Sequence, residues 1–599
     1  MASHRNNSRR AGGVYIAVLG SAIIIALLGM CALIGQRIEN RLVTASTDIR
    51  QAQLNANTAV ELAQLTMKQD TNWRTNFSNG NWFTGRSTGN GTCTVNVVDP
   101  NDGVLNNGPD DPVVVTGIGY SGQSEQRLKV TVDARKDPLS CLRSAVAAGG
   151  TITLSGDILR TNGLTTANQI SSSSSTVYGK VEATSVSGST YNGTTTTVTS
   201  DKRPTMPDWT SVFSYYRTNG VQLNINSLPT WSTMNVARNA GLENALTTAD
   251  WFVAPVGNTA TLDQGGGMQH GGSKSMRVRN CSAQYTGPAQ PIDGYVKPDQ
   301  QYYIEAYVYH STSLLNLGII PVAKTFRISM YTKGSGDASA QINYTDFSAN
   351  GLQWTKLSGN INAHAWTGNL EYAFVKFACT DQSIDFFLDD VVIRETTAGR
   401  VIYQKVLSPS VNQLYAGAPT DPSGNGIYWI DCGGAKLIIE RSRILGTLLI
   451  VNPGANSGVN NGPINWSPAV AGYPALLVDS DNGTSADFAL CATNRMLSEK
   501  ENGVNFNPAG APHEDFGQDA DTNDIYPSQI RGLIAIRHDL TFQNRTLVRG
   551  QVIVGNNIAN ASGELEIDYQ PDSLLNPPSG FWSYIYPRRT GSTQKVVLP

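Results

Sequence analysis

Residues 301–309 read Gln-Tyr-Tyr-Ile-Glu-Ala-Tyr-Val-Tyr, and their alternation decides the architecture of the stretch around them. Successive side chains of a strand point to opposite faces, so Ile304, Ala306 and Val308 fall on one side and Tyr303, Glu305, Tyr307 and Tyr309 on the other. Phe326, Ile328 and Met330 alternate in the same way against Arg327, Ser329 and Tyr331, and Arg127–Val132 repeats the pattern far upstream. Strands with one apolar face predict a mainly β protein. The composition agrees, because 58 glycines with abundant Thr, Ser and Asn favour turns and strands over a helical bundle.

The chain has 599 residues, enough for several domains. Charged residues make up 15% of it and the net charge is -3. That balance offers no basic surface for neutralising phosphates, so nucleic acid is excluded as a partner. Cys31 lies in an apolar run, while Cys93, Cys141, Cys281, Cys379, Cys432 and Cys491 lie outside it. Their even number suits an oxidising compartment, but no CxxC or Cys/His cluster is present for thiolate metal binding. The pairing is open.

Val14–Gly35 carries no charge over 22 residues, long enough to cross a hydrocarbon core of ~30 Å. Arg5, Arg9 and Arg10 precede it, which predicts a cytoplasmic N-terminus and an extracytoplasmic bulk, anchored in the inner membrane by a single span. The run is longer than the apolar region of a cleaved signal peptide and continues directly into Gln36-Arg37-Ile38-Glu39. Ile38, Leu42, Ala45, Ile49, Ala52, Ala56, Ala59 and Ala63 then step by fours and threes, a helical stripe suited to packing on a small β-domain. This basic leader, long apolar helix and small β-rich head resemble the minor pilins and pseudopilins of type IV pilus and type II secretion systems. The resemblance implies prepilin-peptidase cleavage after Gly12 or Gly13 and pilus or secretion-system subunits as partners. The chain departs from the pattern in two respects: Ala17 or Val18 stands where the family usually has glutamate, and no Phe follows the glycine.

The sequence divides into a leader (1–13), a transmembrane and stalk helix (14–70), a small pilin-like α+β head (71–135), a β-rich low-complexity region (136–235), a module (236–396) and a C-terminal region (397–599). Short apolar strands between Gly/Asn turns recur in 401–599, as in Ile427–Gly454 and Gly532–Ile558, and have the flavour of Thr151–Ile158. Such strands bury little alone, but stacked coils share a core, so a β-solenoid is expected, with a sandwich as the alternative. The two regions then read as halves of one solenoid with the module inserted between them. Glu514, Asp515, Asp519, Asp521 and Asp524 form an acidic loop that could do glycosidic acid/base work, hold a cation or simply be solvated. No GxSxG or HExxH pattern is present, and no catalytic residue is assigned.

The module opens with Asn239-Ala240-Gly241-Leu242-Glu243 and contains Gly287-Pro288-Ala289-Gln290, Trp354-Thr355-Lys356-Leu357 and Asp389-Asp390-Val391 in order. This ordered set resembles the CenC-type carbohydrate-binding modules. The resemblance implies a non-catalytic β-jelly-roll with a glycan-binding concave face and a structural calcium ion held by Glu243 and Asp390, with Asp389 beside it. Sugars present C–H faces that stack on aromatic rings and hydroxyls that need polar partners. The candidate binding residues are therefore Tyr303, Glu305, Tyr307, Tyr309, Arg327 and Tyr331, with Trp251 and Trp366 as groove or core residues. Tyr303, Tyr307 and Tyr331 are expected to share one face. The function expected is an anchored carbohydrate-binding protein. The alternatives are a pilin-like assembly component and an anchored polysaccharide-degrading enzyme.

Overall fold

The structure is a computed structural model. It describes residues 9–596 except 247–249, 256, 258, 266, 282, 293–294, 313–319, 368–369, 382–383, 397–398, 461 and 481–487. Arg5 of the basic leader lies outside the described residues. The chain forms two compact units, Met1–Asp137 with Ser583–Pro599, and Pro138–Trp582.

The first unit is built on a 61-residue helix, Arg9–Gln69, whose first turns hold Gly12 and Gly13. From Gly13 onward it is long and apolar enough to cross a membrane, and none of its most apolar window is buried in the protein. The helical stripe divides in two. Ile38, Leu42 and Ile49 are exposed, whereas Ala52, Ala56, Ala59, Val60, Ala63 and Met67 are buried. The buried half packs on an antiparallel sheet of Gly80–Ser87, Thr92–Val98, Val113–Ser121, Ser124–Val132 and Gln594–Val596. Gly117 and Gly119 face the helix, and a Cβ on either would run into its backbone. Small residues on both elements thus let backbone approach backbone, and the Asn55 side chain donates to the Tyr120 carbonyl at 2.9 Å. The region 397–599 does not stay together: residues 583–599 belong to this unit, where Gln594–Val596 pairs with Arg127–Lys129. A three-residue edge strand is too short to carry an alternation signal.

The second unit contains an 18-stranded sheet drawn from both 146–223 and 400–569. Its strands pair in parallel, typically with the third strand along the chain, as Ile427–Asp431 does with Thr447–Val451 and that strand with Pro474–Asp479. Tyr428, Leu448, Leu476, Ile534, Val552 and Val146 form one continuous column through these pairings. Each is 0% exposed. The neighbouring column of Leu449, Leu477, Ala535, Ile553 and Ala147 points the other way, against Val212, Phe213 and Tyr216 of the helix Trp209–Thr218. Burial on both faces explains why these strands read as apolar runs and not as alternations.

Between the two segments sits a jelly roll of two five-stranded sheets. The front sheet has the order Phe252–Ala254, Gly287–Pro291, Leu370–Cys379, Ala323–Gly334, Gln341–Asn350. The back sheet has the order Thr261–Gly265, Ser275–Arg279, Phe386–Glu395, Gln301–Tyr309, Thr355–Asn362. Ile304, Ala306 and Val308 of the back sheet meet Phe326, Ile328 and Met330 of the front sheet in one core. Six of the seven cysteines are buried.

Candidate functional site

The outer surface of the front sheet carries a groove. Register places Phe252, Ala289, Lys376, Ser329 and Tyr344 in one row across its five strands. A second row runs Pro291, Phe374, Tyr331, Ile342. Ala289, Ser329 and Ala378 are small and buried, so they make a floor. Larger side chains rise around it, leaving a cavity of about 280 Å³ lined by Tyr285, Arg327, Ser329, Tyr331, Ile342, Tyr344, Lys376 and Ala378.

The walls are aromatic and rigid. Tyr331 stacks on Phe374 with ring centroids 4.5 Å apart, and Phe252 meets Phe374 edge-on at 5.4 Å. Tyr344 and Tyr285 leave 53% and 40% of their surfaces exposed, enough ring to receive a sugar face. Arg327 is fixed between them. Its guanidinium donates to both Asp346 oxygens at 2.6 and 2.8 Å and lies 3.5 Å over the Tyr344 ring and 4.9 Å from Tyr285. The Asp346 hydrogen bonds raise the Arg327 pKa, and the same pair lowers that of Asp346, so both stay charged. Lys376 donates to the Tyr331 hydroxyl at 2.8 Å. The groove therefore offers stacking planes with held cationic and hydroxyl donors, which is the chemistry a glycan requires.

The structure separates the expected site residues. Arg327 and Tyr331 line this groove, but Tyr303, Glu305, Tyr307 and Tyr309 lie on the outer surface of the back sheet. Tyr303, Tyr307 and Tyr331 do not share a face. Their strands belong to different sheets packed through a common core, so equivalent outward positions point in opposite directions. On the back sheet, Glu305 is engaged by Lys356 at 2.7 Å and by the Tyr303 hydroxyl at 2.5 Å. His270 stacks on Tyr307 at 3.5 Å and covers one face of its ring, and Tyr309 sits 5.8 Å from Trp354. Trp251 is a core residue, 2% exposed and beside Phe377, and Trp366 packs against the same core.

Glu243, Asp389 and Asp390 are drawn to one loop. Glu243 accepts from the Ser273 and Lys274 amides at 2.7 and 3.1 Å and from the Ser273 hydroxyl at 2.6 Å, and these bonds lower its pKa. Asp389 is fully buried and accepts from the amides of His270 and Gly271 at 2.8 and 3.2 Å. Burial raises its pKa despite those bonds. Asp390 has φ 48° at a bulge, where Glu305 pairs with Val392 and Tyr307 with Asp389. Its carboxylate lies 2.7 Å from His270 Nδ1. A Cβ on Gly271 would press on Asp390 and one on Gly272 on Glu243, so the glycine pair lets both carboxylates close on the loop. Carboxylate oxygens are the donors a hard cation takes, but among the described residues these three do not bring one oxygen each to within 4.8 Å of one another.

Sequence reasoning missed Tyr285, Tyr344, Phe374 and Lys376. Tyr344 and Phe374 are on alternating strands, but the core side of Gln341–Asn350 holds Asn343 and Thr345, which blunts the pattern. Tyr285 sits in a loop with φ 61°, where no periodicity marks it.

Residues 234–374 match the model of the family described as "Carbohydrate binding domain". The chain is 25% identical over 174 residues to Endo-1,4-beta-xylanase A of Thermotoga maritima, and 25% identical over 153 residues to that of Thermotoga neapolitana. The matches cover 29% and 25% of this chain but only 15% and 14% of those enzymes. Among solved structures, the CBM22-1 xylan-binding domain from Paenibacillus barcinonensis is 16% identical with a TM-score of 0.23, covering 27% of this chain and 94% of that one. The C-terminal family 22 module of a Clostridium thermocellum protein is 18% identical with a TM-score of 0.21, covering 26% and 90%.

Proposed function

We propose that this protein binds polysaccharide through the front-sheet groove of its jelly roll, and that it does so as a non-catalytic module held at a membrane. The observation that carries the reading is the groove itself, with exposed Tyr344 and Tyr285 on either side of an Arg327 fixed by Asp346. The relatives named for xylan make a β-linked xylan the first glycan to try. The test is affinity electrophoresis in xylan and other wall polysaccharides. Tyr344→Ala or Tyr331→Ala is expected to weaken binding by about 1–3 kcal/mol, and Tyr307→Ala on the back sheet to leave it unchanged. Loss on Tyr307→Ala alone would move the site to the back sheet. No retention on any glycan would put the pilin-like assembly reading first.

The calcium ion belongs to the same proposal, with Glu243 and Asp390 as carboxylate ligands, Asp389 beside them and a role limited to tying the opening segment to the strand Phe386–Glu395. A ligand held only by the native state stabilises it by mass action. Chelation is accordingly expected to lower the melting temperature, and Glu243→Gln to remove most of that response. An unchanged melt with and without chelator discards the ion.

The anchor is the apolar part of the long helix, whose large apolar side chains between Val14 and Ile34 are exposed and suit lipid. The N-terminus then lies in the cytoplasm and the bulk outside the inner membrane. The helix-on-sheet head supports likeness to a minor pilin, with cleavage at Gly12 or Gly13 and pilus or secretion-system subunits as neighbours. The parallel pairing of every third strand supports a β-solenoid as the platform that carries the module. Recovery of full-length protein in the soluble cytoplasmic fraction would exclude the anchor.

A further inference from the structure

The acidic loop of the parallel-strand region has a feature its sequence did not disclose. Glu499, from outside that loop, joins Asp519 and Asp524, and one carboxylate oxygen from each lies within 4.8 Å of the others. Two oxygens bound to one calcium ion at about 2.4 Å can be at most about 4.8 Å apart, so the three span the right distance. Glu499 is 0% exposed. Its oxygens accept from the Phe506 amide at 2.6 Å, the Tyr526 hydroxyl at 2.9 Å and the Asp524 amide at 3.1 Å. Among the described residues, no Lys, Arg or His forms an ion pair with any of the three carboxylates. The nearby Arg443 spends its guanidinium on the carbonyls of Phe506, Ala511 and Pro512.

The second observation is Asn507. Its side chain is fully buried and aimed into the cluster, with Nδ2 donating to Asp524 at 2.9 Å and facing Asp519 at 3.5 Å. Its Oδ1 is buried with no hydrogen-bond partner. A half-turn of the amide exchanges Nδ2 and Oδ1 and adds a fourth oxygen to the three carboxylates. Without a cation that arrangement collides acceptor with acceptor; with one the carbonyl gains the partner it lacks and the carboxylate charge is offset, while the Nδ2 donors give up Asp524 and Asp519 to the ion.

We propose that Glu499, Asn507, Asp519 and Asp524 bind a calcium ion, distinct from the one proposed for the jelly roll. Its structural effect follows from where the ligands sit. Asn507 and Asp519 bracket the excursion that carries Pro512, His513 and Glu514, and these wall a cavity of about 410 Å³ with Arg443, Trp466 and Arg531. The ion closes the base of that excursion and so fixes one wall of the cavity.

The test uses the whole purified chain, stripped with chelator. Terbium stands in for calcium, because Tyr526 lies against Glu499 and sensitises a lanthanide bound there. Tyrosine-excited terbium emission is expected to appear and to be displaced by calcium. Asp519 is exposed, so in a Glu243→Gln background, which lacks the jelly-roll ion, Asp519→Asn should keep the chelator-treated melting temperature while reducing calcium affinity at least tenfold and abolishing the emission. In that background Asp524→Asn should do the same and Tyr526→Phe should lose the emission but keep the calcium, while Glu243→Gln alone should keep one calcium equivalent and the emission. Emission and calcium uptake that survive Asp519→Asn and Asp524→Asn in that background, or that vanish entirely with Glu243→Gln alone, overturn the site, as does a wild-type chain that takes up no calcium.

Discussion

Gly119→Ala is expected to weaken the helix–sheet contact of the first unit by about 3 kcal/mol, the upper end of what over-packing costs. The added methyl would run into the Ala52 carbonyl oxygen and the Ala56 amide nitrogen, which are helix backbone and cannot rotate away. The helix must retreat, and Ala52, Ala56 and Ala59 then lose contact with the sheet together. Amide exchange across residues 50–69 should accelerate roughly a hundredfold, since about 1.4 kcal/mol is tenfold. Thr116→Ala, on the opposite face of the same strand, should leave exchange alone. Unchanged exchange in Gly119→Ala would mean that the close approach is not what holds the helix.

Glu440→Gln is expected to stabilise the second unit at pH 8 and to do little at pH 4.5. Glu440 is 1% exposed, and neither carboxyl oxygen has a hydrogen-bond partner. Burial pushes its pKa up to about 7, with Lys297 and Arg441 pulling only partly against it. Below the unfolded value of 4.5 the group is neutral in both states and costs nothing. As the pH rises toward 7 the unfolded chain releases the proton while the folded chain retains it, so stability falls across that window and levels off above it. The accumulated penalty is on the order of 3 kcal/mol, at about 1.36 kcal/mol for each pH unit between the two values. Denaturant midpoints of both proteins at the two pH values measure it. Equal midpoints at pH 8 would mean that the carboxylate finds a partner when charged.

Periodicity was legible wherever one face of an element meets water. The Gln301–Tyr309 strand and the helical stripe ending at Ala63 both follow from it. Alternation, however, reports only that a side chain points outward from its own sheet. It holds no information on which of two sheets a strand joins, and for that reason Tyr303 and Tyr331 were placed together. Asp390 escaped the same logic because a bulge breaks the alternation that its neighbours obey. Trp251 was ambiguous because a large aromatic suits a core and a groove equally well. The cluster of Glu499 with Asp519 and Asp524 joins residues about 20 to 25 positions apart in the chain, a distance that no local pattern spans.

The shared 18-stranded sheet also has a temporal side. Val146 pairs with Val552 and Leu159 with Leu565, so the start of this sheet waits for residues made some four hundred positions later. The jelly roll encoded in between needs none of them, since all ten of its strands come from 252–395. During synthesis or export the module can therefore close first, while the strands at 146–173 present an open edge to any other chain carrying similar strands. A nascent chain truncated between about residues 440 and 540, past the core residues Val401, Tyr403 and Ile438, should hold a folded jelly roll beside an aggregation-prone stub, and completion of the last strands is what removes that edge.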